Sequence, residues 1–303
     1  MKDYSSYLKE QGFVIFLFHG VITKNKYAVR NYNQKHLEAN DFEKVISALR
    51  ARGKPVHMDD IVFAHQKKSS LPPYSYAITF DDGFANNFHL AAPLLKKFET
   101  PAIFYLTSGF IEDNSCSWID IIERVVENLH DVKLEHEFIS TQSPIKSIED
   151  KIAFLEKVRE TVKNNSCIDP YQLAQSVIMQ NKDESITQDI DIELDQKMTP
   201  YEVRQLSDEP LFTIGGHSHT HRIMSFLKSE DLENEISHSI KLLKHWTGKN
   251  IIHYSYPEGL KHCFSEKVIN CLKKHGIECC PTALSGLNKI NSDLFNLKRI
   301  SVV

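Results

Sequence analysis

The chain has 303 residues, 41% hydrophobic and 25% charged, the composition of a globular protein that buries about three quarters of its unfolded surface, which excludes disorder and fibrous architecture. Lysine and arginine total 36 against 40 aspartates and glutamates, a net charge of −4, so no basic field exists to hold nucleic acid. The apolar run Phe13 to Phe18 falls far short of the ~20 residues that span a bilayer, and Met1 to Gln11 lacks a signal-peptide core, so the expectation is a cytosolic protein without a membrane span.

In chain order, short apolar runs alternate with stretches of helical period, the pattern of βαβ units and a parallel sheet. Phe13 to Phe18 is the first expected strand and runs into His19-Gly20. A helix follows with Phe42, Val45, Ile46 and Leu49 on one face, Asn40 and Glu43 as a capping box, and a stop at Gly53-Lys54-Pro55. Tyr76 to Phe80 and Ala102 to Thr107 are the next strands. From about Asn114 to Met198 the alternation breaks. Three helix-like segments, Trp118 to Leu129, Ile148 to Val162 and Tyr171 to Met179, follow one another, joined by polar linkers at Ser140 to Pro144 and Asp189 to Asp195 that are expected at the surface. This stretch, 114–198, is expected to be a helical insertion that shapes or covers a cleft within a single catalytic domain spanning 1–303. Thr199-Pro200-Tyr201-Glu202 restarts the main fold with an N-cap, a proline at the first helical position and a reciprocal glutamate. Then come a strand at Leu211 to Ile214, a helix from Ser229 to about Gly248, a strand at Ile252 to Tyr256, a helix at Ser265 to Lys274, and strands at Ile277 to Pro281 and Leu297 to Val302. Seven candidate strands suit a barrel better than a sandwich. The six cysteines, Cys116, Cys167, Cys263, Cys271, Cys279 and Cys280, lack zinc-knuckle spacing and are expected as buried free thiols.

Three of these strands end in residues that carry chemistry. Thr79-Phe80-Asp81-Asp82-Gly83 places two carboxylates at the carboxyl end of a strand, where parallel α/β folds gather ligands. Adjacent acids repel unless something positive lies beside them, and a divalent cation would remove that repulsion; the plainer alternative is a solvated turn. Gly215-Gly216-His217-Ser218-His219-Thr220-His221 follows another strand. His217 and His221, four residues apart, can share a metal across one helical turn, while His219 falls on the other side and is expected to be structural. Imidazoles with a carboxylate suit zinc and related first-row cations. Tyr256-Pro257-Glu258-Gly259 is a tight turn whose backbone N–H can point into a cleft, as an oxyanion hole requires.

Together the three motifs resemble the polysaccharide deacetylase superfamily, carbohydrate esterase family 4, which removes acetyl groups from N-acetylated sugars with a metal-activated water. The resemblance covers about residues 12–111 and 199–303, leaves the insertion outside, and implies an α/β fold, a distorted (β/α) barrel of about seven parallel strands. It implies one divalent ion, zinc first among the candidates, bound by Asp82, His217 and His221, with Asp81 as base. It further implies an oxyanion contact from the Tyr256-Pro257-Glu258 turn, in which Glu258 acts by its backbone only. The chain departs from the better-known members at two points: Ser255 stands where they carry an arginine, and Leu297-Lys298-Arg299 stands where they carry a late Leu-x-His. In this it is similar to a variant branch with Leu-x-Arg at its end and a histidine near the first strand. That likeness makes His19 the candidate acid and Arg299 an orienter of the base or a substrate contact; the alternative for His19 is a histidine that only hydrogen-bonds loop backbone.

The expected substrate is an N-acetylated sugar, in a glycan or in a lipid- or nucleotide-linked precursor; oligomeric state is open. The competing functions are a catalytically silent sugar-binding relative and a deformylase or amide hydrolase on the same metal site. Trp118 is expected either to stack on the sugar or to pack in the core with Ile121, Ile122 and Val125, which share its helical face.

Overall fold

The structure, a computed structural model, describes residues 2–181 and 191–303. β1 (Phe13–Phe18) is followed by a two-stranded parallel ribbon, β2 (Gly20–Ile22) and β3 (His36–Glu38), then α1 (Ala39–Arg52), the short β4 (Lys54–Pro55), α2 (Met58–Lys67), β5 (Ser75–Phe80), α3 (Ala92–Lys97), β6 (Ala102–Leu106) and α4 (Ser108–Asp113). The insertion helices α5 (Trp118–Asn128), α6 (Ile148–Asn164) and α7 (Pro170–Asn181) come next. α8 (Pro200–Asp208), β7 (Phe212–Gly216), α9 (Ser229–Thr247), α10 (Glu266–Lys274) and β8 (Ile300–Ser301) complete the order.

The main sheet is parallel, in the order β7-β6-β5-β1-β8 with β4 beside β5. β1, β5 and β6 are apolar and buried along their whole length, as strands covered on both faces must be. The expected strands at Ile252 to Tyr256 and Ile277 to Pro281 ladder only through single bridges, Gly216 with Tyr254 and His253 with Cys279. Hydrogen bonds still run from Gly216 N to His253 O (3.0 Å), Tyr254 N to Cys279 O (2.9 Å), Thr282 N to Leu297 O (2.8 Å) and Val302 N to Leu17 O (3.0 Å). Bonded neighbours therefore complete a circuit from β1 back to β1, the distorted α/β barrel that the sequence implies. The late strand is shorter than Leu297 to Val302, since only Ile300 and Ser301 are laddered.

The register of the central strands fixes where the site begins. Phe18 lies opposite Phe80, and Phe80 opposite Phe104. Their rings stack across the sheet at 5.3 Å and 5.1 Å between centroids, a cross-strand aromatic row that holds the three strand ends at one level. His19 and Asp81 are the next residues along β1 and β5.

The helix expectations are borne out except at α1, where the Asn40 and Glu43 capping box is absent: β3 leads directly into the helix at Ala39, so Asn40 already lies inside the first turn. The Thr199 and Glu202 box is present. α9 closes at Gly248 in the left-handed conformation that a side chain resists (φ 69°). α2 has no counterpart among the expected helices. Four of the six cysteines are buried as expected, but Cys167 is exposed and Cys271 is only partly covered.

The insertion has an apolar cluster of its own, built from Ile122, Val126, Leu155, Val158, Leu173 and Val177 among others. Its return segment is not the surface linker expected. Asp189 and Ile190 lie outside the described residues, but Leu194 and Asp195 are buried, Asp195 pairs with Arg30, and Gln196 O accepts from Ala85 N (2.8 Å). The insertion is thus laced to the stretch just after Asp81-Asp82-Gly83. Leu155→Ala, which empties a fully buried position of this cluster, should cost about 2–5 kcal/mol in chemical denaturation.

Candidate active site and metal centre

Asp81, Asp82, His217, His221 and His19 all emerge at the carboxyl ends of parallel strands, where the adjacent βα loops converge. Asp81 N donates to Phe18 O (3.0 Å) and His217 N to Leu106 O (2.8 Å), so both chains continue the strand register by one residue before turning. The double glycine ahead of His217 allows close approach. A Cβ on Gly215 would lie 2.5 Å from the Tyr105 ring, and one on Gly216 would lie 2.2 Å from the Tyr254 ring. Asp82 (φ 75°), Ser218 (φ 64°) and His221 (φ 57°) take the left-handed backbone conformation, strain of the kind that concentrates at functional sites.

Asp82, His217 and His221 form a group whose ligand atoms all lie within 4.8 Å of one another. Asp82 Oδ1 is 3.2 Å from His221 Nε2 and 3.6 Å from His217 Nε2, and it is buried without a hydrogen-bond partner. His217 Nδ1 meets Ser255 O at 3.0 Å, which makes Nδ1 the proton-bearing nitrogen and leaves the Nε2 lone pair facing the aspartate. A buried oxygen lacking a donor and aimed at two imidazoles is what a cation would complete, and the donor set fits a first-row divalent ion. Burial alone would raise the Asp82 carboxyl, but Lys35 and His221 outweigh it and hold it well below the usual range; His221 is raised, burial being more than offset by Asp82.

Asp81 has different partners. Arg299, only 1% exposed, grips it with two parallel bonds of 2.8 Å, from Nη1 to Oδ1 and from Nη2 to Oδ2. Arg299 Nε donates to Thr282 O (2.7 Å), so all three guanidinium nitrogens are engaged. Ser255 Oγ lies 3.4 Å from Asp81 Oδ1 and 2.6 Å from His217 Nδ1. Burial would raise the Asp81 carboxyl, and Arg299 and His217 overcome that and hold it below the ordinary value.

These residues line a cavity of about 210 Å³ together with His19, Lys35, Arg159, Lys163 and Glu258. His19 faces it, and burial, opposed by Asp82, brings its imidazole down to about 4. Lys35 bridges Asp82 Oδ2 (3.0 Å) and Asp120 Oδ1 (3.2 Å) on α5. Arg159 and Lys163, one turn apart on α6, bring the insertion to the cavity, where Arg159 pairs with Glu123 and Lys163 with Glu258 (2.6 Å). None of these three cations carries a motif, and only the placement of the insertion against the barrel brings them in. Glu258 (φ 62°) also brings its side chain to the cavity wall, where it pairs with Lys163. Tyr256 is fully buried, its hydroxyl donating to Phe295 O (3.0 Å) and its ring stacked on Phe264, so it and Pro257 can serve the cavity by backbone alone. Trp118 is 3% exposed and packs in the insertion cluster with Ile122 and Val125, and it also lines a hollow beside His221 and Glu258.

The sequence model of the family described as polysaccharide deacetylase matches residues 68–166 and 175–280, more than half of the chain. The chain belongs to the polysaccharide deacetylase family. The match runs through most of the insertion, which had been expected to lie outside the resemblance, and includes neither His19 nor Arg299. No curated protein matches the chain. Among solved structures it is similar in fold to IcaB from Ammonifex degensii (14% identity, TM-score 0.61, covering 98% of this chain and 94% of that one). The BpsB deacetylase domain from Bordetella bronchiseptica is comparable (16%, 0.61, 97% and 97%). So is the Streptococcus pyogenes deacetylase PplD in complex with acetate (12%, 0.58, 96% and 92%). No helix among the described residues is long and apolar enough to cross a membrane.

The Lys163 to Glu258 pair ties an insertion helix of this family member to the turn beside its site. Burial would raise the Glu258 carboxyl, but Lys163 and His221 bring it down to about 2. A depressed folded-state value means the pair stabilises fully above the ordinary glutamate value of 4.5 and loses that contribution as pH falls toward 2. Glu258→Gln should therefore flatten the fall in stability between those two pH values, measured by denaturant titrations, with little change in slope above them.

Proposed function

We propose that this chain is a metal-dependent hydrolase that removes an N-acetyl group from an amino sugar of a glycan or of a lipid- or nucleotide-linked precursor, in the variant arrangement with Arg299 and His19. The observation that carries the proposal is the division of roles between adjacent carboxylates: Asp81 is saturated by Arg299, while Asp82 Oδ1 faces two imidazoles with no hydrogen bond of its own.

Asp82, His217 and His221 would hold the cation, zinc first among the candidates, and when bound it would polarise the amide carbonyl and acidify a water. Asp81, kept ionised and fixed in orientation by Arg299, would take the proton from the attacking water. A backbone N–H of the Tyr256-Pro257-Glu258 turn would stabilise negative charge on the former carbonyl oxygen. His19, neutral in the resting site at pH 7, would receive the proton that Asp81 took from the water and pass it to the departing amine, which leaves Asp81 ionised again. Ser255 in place of the family's arginine would favour a silent relative if Asp81 were left unpaired. Arg299 supplies the guanidinium that pairs with Asp81 here and removes that ground.

Acetate release from N-acetylglucosamine oligomers and from a nucleotide-linked N-acetylamino sugar, with added zinc, tests the proposal; bound metal with no turnover on any acetylated amino sugar would leave the silent relative. Asp81→Asn should keep metal and lose about 100-fold or more in kcat, whereas His221→Ala should lose metal and activity together. Unchanged turnover in the first would move the base elsewhere. His19→Ala should keep metal and lose most of kcat on the amide, and lose less on an activated acetyl ester whose leaving group needs no proton; equal losses on both would remove His19 from the acid role.

A further inference from the structure

The third histidine of the Gly216 to His221 loop takes no part in the site above, yet it is not simply a packing residue. His219 points away from the cavity toward the surface between α4 and α9, where its ring meets that of His238 at 4.4 Å between centroids and 81° between planes. Glu112, near the end of α4, brings Oε2 to 3.9 Å from His238 Nε2, beyond hydrogen-bond reach, and its side chain is 42% exposed. One donor atom from each of Glu112, His219 and His238 lies within 4.8 Å of the others.

We propose that Glu112, His219 and His238 form a second cation site, specific for zinc and similar first-row divalent ions, which is separate from the Asp82 group and pins its loop. Three features support a ligand role. The His219 ring is oriented, because Nδ1 meets Ser108 Oγ at 2.9 Å, leaving Nε2 to bind, the outer support that metal-binding imidazoles use. The backbone around it is fixed as well: His219 O accepts from Gly109 N (2.9 Å) and His219 N donates to Glu235 Oε1 (2.8 Å). Asp113, Asp231 and Glu235 lie nearby, so carboxylates outnumber Arg222 and Lys241 at this surface. Glu233, Cys271 and His275 are also grouped within 4.8 Å, but there Glu233 is already bonded to Lys274 (2.9 Å) and His275 (2.8 Å), which supply its partners.

A cation here would join α4, α9 and the loop after β7. His217 and His221 flank His219 in that loop, so the second ion would hold both catalytic-group ligands in place without touching them. Its ligands are open to solvent, so bulk zinc can reach it directly.

Equilibrium dialysis of the full chain against zinc, with zinc counted per chain, tests the proposal. The expected result is two ions in the wild type, one in His238→Ala, one in Asp82→Ala and none in the double variant. The decisive quantity is the loss of one zinc per chain on replacing His238, whatever the wild-type total, so failure of the Asp82 group to bind would not obscure it. Glu112→Gln should weaken the same site at least 10-fold and guards against misfolding of the first variant. His238→Ala should also reduce the rise in Tm that zinc gives Asp82→Ala. Unchanged zinc content and unchanged zinc-dependent Tm on replacing His238 would overturn the proposal.

Discussion

Two adjacent aspartates buried at a strand end impose the constraint around which the rest of this structure is arranged. Neighbouring carboxylates at 3% exposure cannot both stay ionised unless each has its own positive partner. The left-handed turn at Asp82 separates them, sending Asp81 toward the late strand and Asp82 toward the histidine loop and the insertion. Arg299 then answers the first. Lys35 answers one oxygen of the second and leaves the other to the imidazoles. The barrel brings β8 to β1, and β1 to β5, so a residue near the end of the chain can reach one near position 80.

The same electrostatic demand explains the insertion. Its helices and return segment place Asp120, Glu123 and Asp195 against Lys35, Arg159 and Arg30, all largely buried. Lys197, fully buried, lies 3.4 Å from the Phe84 ring centroid and 3.9 Å from Asp120, and burial, opposed by Asp120, lowers its ammonium. Buried ion pairs add little net stability over apolar packing, but breaking one partner is costly, so such a lattice fixes one docking geometry more than it deepens the free-energy well. That geometry sets Arg159 and Lys163 on the cavity wall. The insertion forms a charged wall of the site, and Ile119 of its apolar cluster reaches the same cavity.

Residues whose role depends on local order were legible from the sequence. Asp81-Asp82 after an apolar run, His217 and His221 four apart, and His19 at the end of Phe13 to Phe18 are each set by a strand ending where its hydrophobic pattern ends, and parallel strands in register bring such ends together. The helices of the insertion were legible for the same reason, since an amphipathic period needs no knowledge of what it packs against. The closing staves were half legible: their apolar character showed, while their pairing is reduced to single bridges.

What the sequence determined by itself is therefore where most helices and the central strands fall along the chain, the carboxylate and imidazole motifs, and the chemistry those side chains can support. Only the tertiary structure decided the pairing of charges. Lys35 with Asp82 and Asp120, Arg299 with Asp81, and Lys163 with Glu258 join residues 47, 85, 218 and 95 positions apart, and no periodicity links them. The packing of Trp118 was undecided for the same reason, because a helical face of apolar residues suits a core and a binding wall equally. Sequence order fixes which groups a strand end offers; which opposite charge meets them depends on distances that exist only once the barrel has closed and the insertion has docked.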